Sequence, residues 1–137
     1  MPTRKASVSR RTVFLIDDES SWLQAISGIL RKEGFRVVTS ESGEDALTKL
    51  KQQKPDLILS DVRMPVMNGF DFYEKVRSNP GLASVPFVFM SWIDDYDAKR
   101  VAKELGADDY MEKPYDTSAM RIIIRGLFSR FGNRGPM

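Results

Sequence analysis

The 137-residue chain contains no cysteine and no histidine. The absence of cysteine excludes disulfides and thiolate chemistry, and the absence of histidine removes the commonest general base and the commonest metal ligand. A metal bound by this chain therefore has to be a hard cation held by oxygen atoms. Any catalysis has to use carboxylate, hydroxyl, lysine or arginine side chains.

The chain also lacks a long apolar run. No stretch approaches the roughly 20 apolar residues that a membrane span needs, and the start MPTRKASVSRR lacks the apolar core of a secretory signal. We therefore expect no membrane association and a cytoplasmic location. The hydrophobic fraction of 42% and the charged fraction of 29% are typical of a globular protein, and the length fits one domain.

Basic residues are concentrated at the two ends of the chain. Residues 1–11 hold four Lys or Arg and no acid, and residues 129–137 hold two Arg. Such termini are usually solvated, so we expect a disordered basic tail over residues 1–10 and a C-terminal tail or linker stub over 132–137. The folded domain is then 11–131, and nucleic acid is not an expected partner of that domain.

Five short strand patterns, three of them apolar runs, alternate with amphipathic stretches. The predicted strands are TVFLI (12–16), FRVVT (35–39), DLILS (56–60), PFVFMS (86–91) and DDYME (108–112). A helix pattern follows each strand, the last one between Met120 and Phe131. Apolar strands that alternate with helices predict a parallel sheet covered on both faces. The predicted fold class is α/β: a flavodoxin-like, doubly wound (βα)5 sandwich with a five-stranded parallel sheet in the order 2-1-3-4-5.

Polar residues follow the apolar part of four of these strands. They are Asp17 and Asp18, Asp61, Ser91 and Lys113. In a sheet of this order, the carboxyl ends of strands one and three flank the switch point where ligands bind, so the three carboxylates should converge there. Three close anions need a cation, and the lack of histidine and cysteine favours Mg²⁺. The alternative is that Asp18 caps the first helix and Asp61 caps a turn.

The predicted site has the groups that phosphoryl transfer needs. An aspartate can attack phosphorus, and the transition state needs donors for the equatorial oxygens. Asp61 is the better nucleophile because it precedes a Gly- and Pro-bearing loop that could admit a bulky donor. Lys113 supplies a cation and Ser91 supplies a hydroxyl.

Four segments in this order resemble the receiver domain of two-component response regulators (CheY-like). They read LIDDES, LSDVRMPVMNGFDFYEKVR, FVFMS and YMEKPYD, and the resemblance covers roughly residues 11 to 131. It implies that Asp61 is the phosphoacceptor, that Asp18 binds Mg²⁺ directly and Asp17 mostly through water, and that the Arg63 carbonyl completes the protein ligands.

The resemblance also implies how the signal is carried. Lys113 would hold the phosphoryl group and precede a cis bond to Pro114, and Ser91 and Tyr110 would form a switch pair. The surface of the fourth helix, fifth strand and fifth helix would then change. The protein would be no enzyme beyond its own phosphorylation and dephosphorylation.

The implied partners are a histidine kinase or a His-phosphotransfer protein and a downstream target or output domain. Ile122 lies off the predicted buried stripe of the last helix, which favours a homodimer or another partner contact. Two alternatives stay open: a pseudo-receiver that is never phosphorylated and serves as a docking module, and an Asp-nucleophile phosphohydrolase. The phosphohydrolase would need a second acid near Asp61, where the sequence has Arg63.

Two positions depart from the family pattern. The family usually has a small residue after the position of Ser91, whereas Trp92 and Ile93 follow here. We expect this bulky pair to restrict access of water or of the donor to the phosphoryl pocket. Arg63 could reach over the phosphate, although an ordinary exposed arginine is an equal interpretation.

Overall fold

The apolar runs of the sequence form one parallel sheet in the computed structural model. The structure describes residues 11–113 together with residues 122, 125, 126 and 129. The strands are β1 (Thr12–Ile16), β2 (Arg36–Ser40), β3 (Leu57–Asp61), β4 (Phe87–Trp92) and β5 (Asp109–Lys113). The helices are α1 (Ser20–Lys32), α2 (Gly43–Leu50), α3 (Gly69–Arg77) and α4 (Tyr96–Leu105). The strand order is β2-β1-β3-β4-β5, which confirms the predicted fold class.

Each sheet face has its own apolar core because neighbouring side chains of a strand point to opposite faces. On β1, Val13 and Leu15 pack in a cluster with α1 residues such as Leu23 and Ile26. Phe14 and Ile16 lie in the other cluster, together with buried residues of α2, α3 and α4. Among the described residues, α1 therefore covers one face of the sheet, and α2, α3 and α4 cover the other.

Four strands are displaced by one residue from their predicted positions. β3 includes Asp61, whose partner is Met90, and β5 includes Lys113, whose partner is Trp92. Backbone pairing does not require an apolar side chain, so the ladder continues through polar residues that the hydrophobic pattern excluded. Both residues are therefore held by the sheet itself and not by a loop.

The helix boundaries follow local signals. The Ser42 hydroxyl accepts a hydrogen bond from the Asp45 N–H (3.1 Å) at the start of α2. Gly106 adopts the left-handed conformation (φ 81°) that ends α4. Among the described residues, no helix is long and apolar enough to cross a membrane.

Several predictions concern residues outside the described ones. These are the two tails (1–10 and 132–137), the Lys113–Pro114 bond and most of the last predicted helix. Ile122 is described, and its side chain is 74% exposed.

Candidate functional site

Three carboxylates meet at the carboxyl end of the sheet. Asp17 and Asp18 directly follow β1, and Asp61 ends β3, the strand beside it. One carboxylate oxygen from each of the three lies within 4.8 Å of the other two. Asp17 and Asp61 are buried, whereas Asp18 is exposed. The structure therefore brings together the acidic cluster that the strand order predicted.

Helix capping does not explain these acids. The N-cap residue of α1 is Glu19, not Asp18, and its side chain makes no capping hydrogen bond. The Glu19 N–H instead donates to Asp17 Oδ1 (3.0 Å), which fixes one oxygen of that buried carboxylate. Asp17 thus contacts the start of α1 through Oδ1, while its other oxygen, Oδ2, is buried beside Lys113.

Lys113 closes the cluster from β5. Its side chain is fully buried, and Nζ lies 2.6 Å from Asp17 Oδ2 and 3.3 Å from Asp61 Oδ1. Nζ also lies 3.4 Å from Glu19 Oε1. Burial by itself lowers the pKa of Lys113, but the charges of Asp17 and Asp61 outweigh that effect and raise it. The lysine is therefore held as an ammonium ion inside the site.

The two buried acids hold their protons more tightly than ordinary aspartates. Burial and the neighbouring charge of Asp17 raise the pKa of Asp61 to about 7, although Lys113 opposes the shift. Burial likewise raises the pKa of Asp17 against the opposing charge of Lys113. One lysine does not compensate the desolvation of two carboxylates, so a further cation would stabilise their charged forms.

The donor set fits Mg²⁺. Three carboxylates supply oxygen ligands only, and the chain has no histidine or cysteine that would favour a softer metal. Asp17, Asp18 and Asp61 are the residues that would hold the ion. Arg63 lies in the loop after β3, and the part played by its carbonyl stays a prediction.

Ser91 and Tyr110 lie on the neighbouring strands β4 and β5. Ser91 is buried, and its hydroxyl donates to Asp95 Oδ2 (2.9 Å). The Tyr110 hydroxyl is also buried, and no atom of the described residues meets ordinary hydrogen-bond geometry with it. Burial raises the pKa of Tyr110. The two predicted switch residues are therefore close to the site, with Ser91 turned toward Asp95.

Arg63 is exposed but not free. Its Nε lies 2.8 Å from Asp95 Oδ2 and its NH2 group lies 2.8 Å from Asp95 Oδ1. Both oxygens of Asp95 are engaged in this pair, and Arg63 holds the pKa of Asp95 well below its usual range. The guanidinium is thus directed to the start of α4 in this structure.

Trp92 approaches the site more closely than Ile93. The centroids of the Trp92 and Trp22 rings lie 5.7 Å apart. Lys113 Nζ lies 5.3 Å from the Trp92 centroid and 5.2 Å from the Trp22 centroid. Ile93 lies in the following turn and is 48% exposed. Trp92 is therefore the residue of this pair that contacts the site, through Lys113.

Sequence reasoning missed three residues of this region. None of Glu19, Trp22 and Asp95 was predicted from the sequence to be a site residue. Asp95 could have been found as an N-cap, since its Oδ1 accepts from the Ala98 N–H three residues later. The contacts of Glu19 and Trp22 with Lys113 span most of the chain, and no local pattern reports them.

Comparison with known proteins agrees with the geometry. A model of the response regulator receiver domain matches residues 13–125. The probable transcriptional regulatory protein TcrX of Mycobacterium tuberculosis is 33% identical over 130 residues, which cover 94% of this chain and 54% of that protein. The chain therefore spans about half the length of this curated relative.

Solved structures share the fold. The chemotaxis response regulator CheY4 of Vibrio cholerae has a TM-score of 0.77 and 30% identity, covering 86% of this chain and 98% of that one. The receiver domain of the sensor histidine kinase PA1611 from Pseudomonas aeruginosa has a TM-score of 0.78 and 24% identity, covering 88% and 96%. In that structure a magnesium ion is coordinated in the active-site cleft.

Proposed function

The chain belongs to the response regulator receiver domain family, and on that basis we propose that it is a Mg²⁺-dependent phosphoacceptor switch with Asp61 as the acceptor. The single observation that carries the proposal is the cluster of Asp17, Asp18 and Asp61 closed by buried Lys113. A docking-only pseudo-receiver has no need for such a cluster, because buried charges are costly to maintain.

The proposed reaction transfers a phosphoryl group from a phosphohistidine of a histidine kinase or His-phosphotransfer protein. One Asp61 carboxylate oxygen attacks phosphorus, an O–P bond forms, and the P–N bond breaks with its electron pair kept by the imidazole nitrogen. Because Lys113 faces Asp61 Oδ1, the other oxygen is left for the attack. The chain has no histidine, so it cannot be the donor.

The residues around Asp61 act on the charge of the transferred group. Lys113 supplies an ammonium and Ser91 a hydroxyl for the equatorial phosphoryl oxygens. A bound Mg²⁺ would neutralise part of the negative charge that collects there. Trp92, with Ile93 behind it, limits entry of water, which favours a long-lived acyl phosphate.

The output of the switch is a change of surface. Phosphorylation draws Ser91 toward the phosphoryl group and Tyr110 inward, which alters α4, β5 and the last predicted helix, where a downstream target, an output domain or a second copy binds. The activity is confined to the phosphorylation and dephosphorylation of Asp61 itself, in the cytoplasm where kinase domains act. Magnesium in the PA1611 receiver domain supports the choice of metal.

The test is incubation with acetyl phosphate and Mg²⁺ followed by intact mass measurement. The wild type should gain one phosphate-sized mass, and Asp61→Asn should gain none. Asp45→Asn is a matched control, because it makes the same change at a carboxylate that is 49% exposed on α2 and does not belong to the acidic cluster. No gain in the wild type with acetyl phosphate or a phosphohistidine donor would favour the docking-only module.

A further inference from the structure

A chain of polar contacts links the loop after β3 to the start of α4. Arg63 donates to both oxygens of Asp95, each at 2.8 Å, and the Ser91 hydroxyl donates to Asp95 Oδ2 at 2.9 Å. Asp95 Oδ1 also accepts from the Ala98 N–H at 3.2 Å. We call the three side chains Arg63, Asp95 and Ser91 the latch.

Asp95 is the centre of the latch. Its two oxygens accept four hydrogen bonds, two from a guanidinium, one from a hydroxyl and one from the first turn of α4. Its side chain is only 17% exposed, although that of Arg63 is 62% exposed. A bidentate pair with a carboxylate is stronger and more directional than a single contact, so Arg63 fixes the orientation of Asp95.

The latch uses the one proton that Ser91 can donate. A serine hydroxyl has a single O–H, and here that proton is directed to Asp95. Ser91 is 1% exposed, so water does not offer an easy replacement for this partner. For Ser91 to donate to a phosphoryl group on Asp61, its hydroxyl has to leave a charged acceptor.

We propose that Asp95 is a positioning residue that holds Ser91 in its resting orientation, and that Arg63 acts through Asp95 as a brake on switching. This inference rests on the proposed function of Asp61. Phosphorylation offers Ser91 a competing anionic acceptor, and the Ser91–Asp95 bond is exchanged for a Ser91–phosphoryl bond. Asp95 keeps its capping bond to Ala98 during the exchange, so α4 shifts without unwinding.

The latch stabilises the resting state of the switch relative to the state that is ready to accept phosphate. A bond made only in the resting state lowers the population that is ready to accept phosphate, and its loss raises that population. Removing the latch should therefore make phosphorylation faster. A purely structural role for Asp95 predicts a loss of stability with no gain in rate.

The test compares the rate of phosphorylation by acetyl phosphate and Mg²⁺, followed by intact mass, with thermal unfolding of the same variants. Asp95→Asn keeps a capping oxygen for Ala98 but replaces Oδ2 with an amino group, which cannot accept from Ser91. We expect its rate to rise about fivefold, which corresponds to about 1 kcal/mol, even though loss of the charged pair with Arg63 lowers the melting temperature. Arg63→Gln should raise the rate less.

A double variant and a matched control sharpen the test. If Arg63 acts through Asp95, the double variant Arg63→Gln/Asp95→Asn should phosphorylate at the rate of Asp95→Asn alone. Arg125→Gln is the control, because Arg125 makes a similar two-bond pair with Glu33, with side-chain exposures of 66% and 22%. Its rate should match the wild type.

Each outcome decides the inference. An unchanged or slower rate in Asp95→Asn, or equal acceleration by Arg125→Gln, overturns the latch while the proposed function stands. If Asp95→Asn does not fold, the rate of Arg63→Gln decides instead, because that variant leaves the Asp95 cap intact. An unchanged or slower rate in Arg63→Gln then overturns the latch. A wild type that takes no phosphate overturns both the proposed function and the latch.

Discussion

Gly69 packs against the main chain of Asp61, the proposed phosphoacceptor, and we expect Gly69→Ala to be costly for that reason. A Cβ at this position would clash with the Asp61 carbonyl oxygen and lie 2.9 Å from Val62 Cα and 3.0 Å from the Asp61 carbonyl carbon. These atoms belong to a backbone that β1 and β4 hold from both sides. The Gly69 N–H also donates to the Val62 carbonyl at 2.8 Å, so α3 cannot move away without losing that bond.

The expected magnitude follows from two opposing effects. Overpacking against atoms that cannot move costs about 1–3 kcal/mol or more. Replacing glycine by alanine also stabilises the folded state by about 0.4–1 kcal/mol, because alanine lowers the conformational entropy of the unfolded chain. We expect a net loss of roughly 2 kcal/mol in the free energy of unfolding. Because the added methyl group pushes on Asp61 itself, phosphorylation by acetyl phosphate should slow as well.

Gly28→Ala is the matched control. Gly28 lies in α1 with nothing within 4 Å of an added Cβ, so the same substitution should stabilise the protein by about 0.5–1 kcal/mol. Urea unfolding with linear extrapolation measures both variants. If Gly69→Ala is as stable as the wild type and is phosphorylated equally fast, the packing of α3 on Asp61 does not position the proposed acceptor.

Three further predictions concern the charged site. Trp92→Ala should shorten the lifetime of the acyl phosphate several-fold by admitting water, and an unchanged lifetime in a dephosphorylation time course would contradict that role. Burial raises the pKa of Asp61 from its ordinary 3.8 to about 7. Between these pH values the folded protein keeps a proton on Asp61 that the unfolded chain has lost. In the absence of metal, the free energy of unfolding should therefore fall as the pH rises through this range. The fall should be on the order of 4 kcal/mol in urea unfolding with a chelator present, and Asp61→Asn should lose most of it. Lys113→Met leaves Asp17 and Asp61 without their cation, which should cost about 3 kcal/mol, and added Mg²⁺ should recover part of that loss in the same unfolding assay.

The sequence was sufficient to predict the strand order and the acidic cluster, and the reason is physical. Continuous apolar strands between amphipathic helices leave few arrangements, and in the doubly wound one the ends of β1 and β3 are neighbours. The positions of Asp17 and Asp61 follow from that topology alone. Lys113 was also predictable, because it follows the apolar part of the last strand.

The partners of individual side chains could not be predicted in the same way. Arg63 and Asp95 are 32 residues apart, and Glu19 and Lys113 are 94 apart, so their contacts depend on loop paths that hydrophobic periodicity does not encode. The strand ends were displaced by one residue because pairing, not polarity, determines where a ladder stops. Sequence patterns thus located the site but not the hydrogen-bond network that surrounds it.

The central claim is that Asp61 is the residue that accepts the phosphoryl group. The most direct measurement is to treat the phosphorylated protein with borohydride, which reduces an acyl phosphate to an alcohol, and to locate the modified residue by peptide mass spectrometry. We predict that Asp61 alone is converted to homoserine, and only after incubation with both acetyl phosphate and Mg²⁺. Conversion of Asp17 or Asp18, phosphate retained on Ser91, or no modified residue would contradict the claim.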